Sequence, residues 1–175
     1  AFYPGCLIDK VLPRVADAAM TVFDHHGVDV FVAGQIPCCG IPALSAGDRS
    51  SFESLVKQNV AIYDAQSFDY LVTPCATCTS TIKKLWPLMS DTLPSELREK
   101  VLALSNKTKD INEFLVDVLA IDLPETQAGG ERTVTYHDPC HLKKSLGVAR
   151  QPRAILNALP GWRFVEMQEA DRCCG

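Results

Sequence analysis

The stretch Val28-Asp29-Val30-Phe31-Val32-Ala33-Gly34-Gln35-Ile36-Pro37-Cys38-Cys39-Gly40 decides the fold. Its first six residues are rich in β-branched and aromatic side chains, which predicts a strand. That strand empties through Gly34 and Pro37 into two adjacent cysteines and a glycine. The same order recurs on either side. Upstream, residues 1–3 predict a strand that Pro4-Gly5 ends just before Cys6. Downstream, Tyr70 to Thr73 predict a third strand, and Pro74 stands directly before Cys75, with Cys78 three residues on. Each cysteine group follows a strand end.

Helical spacing fills the intervals. Val15, Ala18, Ala19 and Val22 recur at threes and fours, an amphipathic helix that Gly27 stops. Phe52, Leu55, Val56, Val60 and Tyr63 line the buried face of another, whose start Ser50 and Glu53 mark as a capping box. Two more run through Leu97, Val101 and Leu104, and from Asp110, capping with Glu113, through Ile111, Phe114, Leu115 and Val118. The alternation predicts an α/β fold, a small parallel sheet flanked by helices. In such sheets ligands collect beyond the carboxyl ends of the strands. Helix N-termini point there too, and their partial positive charge favours thiolate over thiol. Three strand ends can therefore bring Cys6, Cys38, Cys39, Cys75 and Cys78 to one crevice.

The phrase reads C-x31-C-C-G-x34-C-x-x-C, and it begins again 134 residues after Cys6. Cys140 is followed, after 32 residues, by Cys173-Cys174-Gly175, without a second Cys-x-x-Cys. All eight cysteines belong to these two phrases, an economy that points to one shared job, holding metal. The chain thus divides into a first cysteine-rich module at 1–122, a linker at 123–132 rich in breakers, and the N-terminal part of a second, truncated copy at 133–175. Thr133 to Tyr136 predict the first strand of that copy. Beginning almost on one motif and ending inside another, the chain reads as an excised piece.

Composition narrows the function. With 47% apolar residues, the 175-residue chain can bury a core. A net charge of −4 without a basic run gives no footprint for nucleic acid. No apolar stretch approaches a membrane span and no signal peptide opens the sequence, so membrane association would be peripheral, through partners. A disulfide framework fits poorly with adjacent cysteines, the size of the chain and the lack of an export signal. A reduced, cytoplasmic metalloprotein fits better.

A cubane cluster or structural zinc takes four protein ligands, whereas a complete phrase here offers five. Adjacent residues can hardly aim both sulfurs at one metal without strain; they can serve two metals, or let one sulfur bridge a pair. Gly40 would let the backbone pass close to such a group. Alone, Cys75-Ala-Thr-Cys78 would read as a thioredoxin-like dithiol, and four of the five thiolates could hold zinc.

The phrase resembles the cysteine-rich CCG domain of heterodisulfide reductase B subunits. It is also similar to the iron–sulfur subunits of glycolate oxidase, lactate-utilisation complexes and anaerobic glycerol-3-phosphate dehydrogenase. Tyr3-Pro4-Gly5-Cys6, Pro37-Cys38-Cys39-Gly40 and Tyr136-His137-Asp138-Pro139-Cys140-His141 carry the likeness, which covers essentially the whole chain. The resemblance implies a [4Fe-4S] cluster, of the noncubane kind in the reductases, on Cys6, Cys38, Cys39, Cys75 and Cys78. Cys140, Cys173 and Cys174 would be an incomplete second set. It further implies an oxidoreductase subunit that relays electrons from a small hydroxy acid or glycerol-3-phosphate, beside a flavin dehydrogenase or a further iron–sulfur subunit. Disulfide reduction at the cluster is the alternative, and a zinc-stabilised interaction module is the alternative of another class.

Lesser candidates are His25 and His26 at a helix end, and His137 and His141 flanking Cys140. Lys83-Lys84 and Lys143-Lys144 read as solvated faces, or as charge offsetting an anionic cluster. No Walker loop, dinucleotide glycine fingerprint or Ser-His-Asp pattern is present.

Overall fold

The computed structural model describes residues 1–124 and 132–173. The linker expected at 123–132 therefore lies almost wholly outside the described residues, as do Cys174 and Gly175. The chain forms two units, Ala1–Lys109 and Asp110–Gly175.

In the first unit the N-terminal residues thread between two other extended segments. Phe2 bridges in parallel to Val32 on one side and Val72 on the other. The Phe2 amide donates to the Phe31 carbonyl at 2.9 Å, and the Tyr3 amide to the Val72 carbonyl at 2.8 Å. β1 (Leu71–Thr73) is a full strand and is paired with a second, β2 (Thr108–Asp110). The parallel sheet is thus present in minimal form. The strands expected at 1–3 and Val28–Ala33 contract to single bridged residues. Pro4 has no amide to extend the first ladder, and Val32 sits exposed on an outer edge.

The helices form where the periodicity places them, but on Pro13–His25 the buried residues are Ala19 and Phe23, while Val15 and Ala18 are exposed and Val22 is half-buried. α1 (Cys6–Val11) and α2 (Pro13–His25) connect the first two extended segments, and Phe23 packs edge-on against Phe2. α3 (Ile41–Ser45) follows the Cys-Cys-Gly turn, and α4 (Arg49–Asp64) buries Phe52, Val56, Val60 and Tyr63, while Leu55 is only half-buried. The cap of α4 differs from the expectation. Asp48, not Ser50, accepts from the Ser51 amide at 3.0 Å, and Glu53 turns to Arg49 instead. The Asp48 carboxylate stands one residue before the helix, where it reaches the amide of the third helical residue; Ser50, already inside, cannot serve as that cap.

α5 (Ala76–Ser80) runs through a π-helical turn, Thr81–Leu85, into α6 (Trp86–Leu88). The widening falls where Pro87 would otherwise drive its ring against the Lys83 carbonyl. α7 (Ser95–Lys107) closes the unit and adds Val101 and Leu104 to a core that includes Cys39 and Cys78. Burying such side chains stabilises by roughly 1.5–3 kcal/mol each, so two of the cysteines are embedded in the part of the unit that is hardest to deform.

The second unit opens with α8 (Ile111–Glu113), capped by Asp110, which accepts from the Asn112 amide at 2.8 Å. A π-helical turn, Phe114–Val118, follows. Then come β3 (Arg132–Val134), α9 (Cys140–Leu146), α10 (Arg150–Asn157) and β4 (Trp162–Phe164). β3 and β4 pair in parallel, Arg132 opposite Trp162 and Val134 opposite Phe164. Extended segment, cysteine, two helices, parallel extended segment: the order repeats that of the first unit from Phe2 to Val32. Among the described residues no helix is long and apolar enough to cross a membrane.

Candidate metal centre

Backbone geometry delivers the five cysteines of the first unit. Cys6 is the first residue of α1, directly after Gly5. Cys75 caps α5, its sulfur accepting from the Cys78 amide at 3.5 Å. Cys38 and Cys39 form the turn before α3. Their side chains meet in pairs. Cys6 is hydrogen-bonded to Cys38, and Cys78 to both Cys39 and Cys75. Gly5 closes the group, since a Cβ built on it would stand 3.0 Å from the Cys78 sulfur and 3.9 Å from the Cys75 Cβ. All five are thiols, Cys39 and Cys78 buried and the others partly so.

Ionisation is divided unequally among them. Hydrogen bonding from Cys78 brings Cys39 down to about 7, against the cost of burial, with the Ile41 amide and the Thr81 hydroxyl assisting. Cys78, which donates to Cys39 and Cys75 and is buried as well, is held far above the usual thiol range. Burial pushes Cys38 up to about 11, opposed by the Gly40 amide. The Tyr3 phenol is also pushed well up, first by burial and then by Cys78. Of Cys38, Cys39 and Cys78, Cys39 is the one whose thiolate the surroundings favour.

The donor set fits a multinuclear iron–sulfur group. Cys6 meets Cys38, and Cys78 meets both Cys39 and Cys75; five soft donors, two on adjacent residues, suit several thiophilic metals.

Gly40 also meets a packing demand that the sequence does not announce. Its φ is +94°, and a Cβ there would lie 2.7 Å from Cδ2 of Phe52. The Phe52 ring of α4 therefore requires the glycine, whereas Gly5 is the glycine pressed against sulfur.

In the second unit Cys140 opens α9, partly buried, and Cys173 is exposed. Asp138 has no solvent-exposed side-chain surface and receives both Arg153 nitrogens, at 2.7 and 2.8 Å, and Lys143 at 3.0 Å. Arg153 holds the Asp138 carboxyl below the usual range. Lys143 is thereby committed to ion pairs, while Lys83 donates to the Thr108 carbonyl at 2.9 Å. Nε2 of His137 lies 2.8 Å from the Arg172 carbonyl, which can only accept, so that nitrogen carries the proton. His25 and His26 pack edge to face on one another.

Three contributors were not singled out from the sequence. The Tyr3 hydroxyl donates to the Pro37 carbonyl at 2.6 Å, the Asn59 amide to the Cys38 carbonyl at 3.0 Å, and the Trp86 indole to the Cys39 carbonyl at 2.9 Å. Asn59 had a signal: it falls on the apolar stripe of α4, between Val56 and Val60, where a polar side chain is buried only with a purpose.

A twice-started α/β fold with cysteines at its strand ends defines a cysteine-rich metal-binding domain. The model of one such family, the cysteine-rich CCG domain, matches residues 1–83 and 134–175, and the chain belongs to that family. An uncharacterized iron–sulfur protein of Methanococcus maripaludis is 39% identical to it over 175 residues, all of this chain and 32% of that protein. A fumarate reductase (CoM/CoB) subunit of Methanothermobacter marburgensis is 38% identical over 174 residues, 99% of this chain and 32% of its own length. A probable glycolate oxidase iron–sulfur subunit of Bacillus subtilis is 30% identical over 181 residues, 100% of this chain and 39% of its own. The chain spans about a third of the length of these relatives.

Proposed function

We propose that the chain is part of an iron–sulfur subunit of an oxidoreductase complex, relaying electrons from the oxidation of a small hydroxy acid of the lactate or glycolate type, or of glycerol-3-phosphate. The observation that carries this reading is the pairwise meeting of Cys6 with Cys38 and of Cys78 with Cys39 and Cys75. These five would hold a [4Fe-4S] cluster of the noncubane kind; zinc is the alternative metal. When bound, such a cluster takes up and returns electrons singly. Oxidising a hydroxy acid to the oxo acid releases two electrons and two protons, a step assigned to a partner such as a flavin dehydrogenase. The residues of this chain supply thiolates, exclude water with the core round Cys39 and Cys78, and fix the turns that carry the sulfurs. Cys140, Cys173 and Cys174 form the incomplete second set and hold no stable cluster alone. The protein works in the cytoplasm among other subunits of a redox complex, reaching a membrane only through partners.

A relative from Methanosarcina acetivorans named as a CoB–CoM heterodisulfide reductase subunit favours a second reading, reduction of a disulfide at the cluster. The full-length holoprotein separates the two. If it is a relay, it accepts electrons from a co-expressed hydroxy-acid dehydrogenase. If it is a reductase, it consumes a coenzyme-type heterodisulfide when reduced by an artificial donor. Zinc content with neither activity returns the interaction module.

A further inference from the structure

We propose that Tyr3, Asn59 and Trp86 are positioning residues that clamp the Cys38-Cys39 turn by its carbonyls and so tune the reduction potential of the group the cysteines hold. The inference rests on the cluster reading above and deepens it.

Three consecutive carbonyls, those of Pro37, Cys38 and Cys39, are each taken by a side chain from a different part of the unit. In a trans peptide the N–H points opposite to the C=O. Pinning these carbonyls toward the core therefore turns the following amides the other way. The Cys39 carbonyl, held by Trp86, shares its peptide plane with the Gly40 amide, and that amide faces the Cys38 sulfur. The Ile41 amide, which faces Cys39, follows the Gly40 carbonyl instead and is oriented by α3, where the Leu44 amide takes that carbonyl at 3.1 Å. Hydrogen bonds to the sulfurs are among the features that set cluster potentials. They favour the more negative, reduced state.

Two observations show that the clamp is built rather than incidental. Asn59 is fully buried and donates twice, to Cys38 and Leu55, while its own Oδ1 has no partner. A side chain that leaves an acceptor bare in the core is kept for its donors. The Tyr3 anchor also recurs in the second unit. Tyr3 stands three residues before Cys6 and holds the carbonyl directly before the Cys38-Cys39 pair. His137 stands three residues before Cys140 and holds the Arg172 carbonyl, directly before Cys173. A phenol and an imidazole make the same anchor, so what the two modules share is the hydrogen bond, not the residue type.

The test uses the full-length holoprotein with Trp86→Phe, which keeps a ring and deletes the donor, and Trp162→Phe as a control outside the clamp. Iron and acid-labile sulfide are measured beside a redox titration followed by electron paramagnetic resonance. Trp86→Phe should retain iron yet titrate lower, up to a tenfold weaker preference for the reduced state, which is about 59 mV for a one-electron couple. Trp162→Phe should match the wild type. An unchanged potential in iron-loaded Trp86→Phe overturns the proposal. If that variant does not fold, Tyr3→Phe, which lacks one hydroxyl, must shift the potential in the same direction. If the wild type holds no iron, the cluster reading fails, and the clamp is tested separately by hydrogen exchange. The Gly40 amide should then exchange faster in Trp86→Phe than in the wild type, and equal rates overturn it.

Discussion

The Cys78 sulfur occupies the space that a side chain on Gly5 would need, 3.0 Å from the position of the missing Cβ. The tight approach joins the turn before Cys6 to the helix that bears Cys78. Gly5→Ala should therefore do two things. Its φ of +81° costs an L-residue about 1–2 kcal/mol, and the added methyl displaces the sulfur. Gly27→Ala has a φ of +65° with nothing within 4 Å, so it carries the backbone cost without the crowding. Urea unfolding should show both variants weakened and iron analysis only Gly5→Ala depleted. Equal iron loss in the two would dissociate the contact from metal binding.

Gly40→Ala should destabilise more than Gly5→Ala. It meets the Phe52 ring at 2.7 Å with a φ of +94°, so overpacking of about 1–3 kcal/mol joins the backbone strain. Adding Phe52→Leu should recover part of the loss. If the two losses simply add, the ring is not what demands the glycine.

In the second unit Asp138→Asn should be costly, because it removes the buried carboxylate that Arg153 and Lys143 share and leaves them only the half-exposed Glu166 and Asp171. Removing one partner of a buried ion pair costs about 3–5 kcal/mol. Glu166 still pairs with Arg153 and Asp171 with Lys143, which places the loss at the lower end. Pairing it with Arg153→Met should restore stability in a double-mutant cycle measured by thermal unfolding. No coupling between the two sites would refute the assignment.

Cap identity is testable in the same way. Asp48→Ala should weaken α4, whereas Ser50→Ala should change stability little, since Asp48 accepts the Ser51 amide and Ser50 only donates to Asp48. The reverse ranking in urea unfolding would restore Ser50 as the cap.

Periodicity made the helices legible, because Phe52, Val56, Val60 and Tyr63 must share a face whatever packs against them. Cysteine spacing made the duplication legible, and the strand-end logic foresaw that Cys6, Cys38, Cys39, Cys75 and Cys78 could meet. Strand length was not legible. β propensity in Val28–Ala33 marks extended chain but not how many neighbours it finds, and on this edge only Val32 finds one. The demands on Gly5 and Gly40 depend on what packs against them, Cys78 and Phe52, which are distant in sequence. Trp86 is hidden for the same reason: its indole reaches Cys39 across 47 residues. Nothing in the local sequence announces that pairing.

The central claim is that the five cysteines of the first unit hold an iron–sulfur cluster. Iron, acid-labile sulfide and zinc measured in the full-length protein purified without oxygen, beside Cys78→Ser, test it most directly. The account predicts iron and sulfide in equal amounts in the wild type and a clear fall of both in the variant. Zinc in place of iron, or iron and sulfide undiminished when Cys78 is lost, would contradict it.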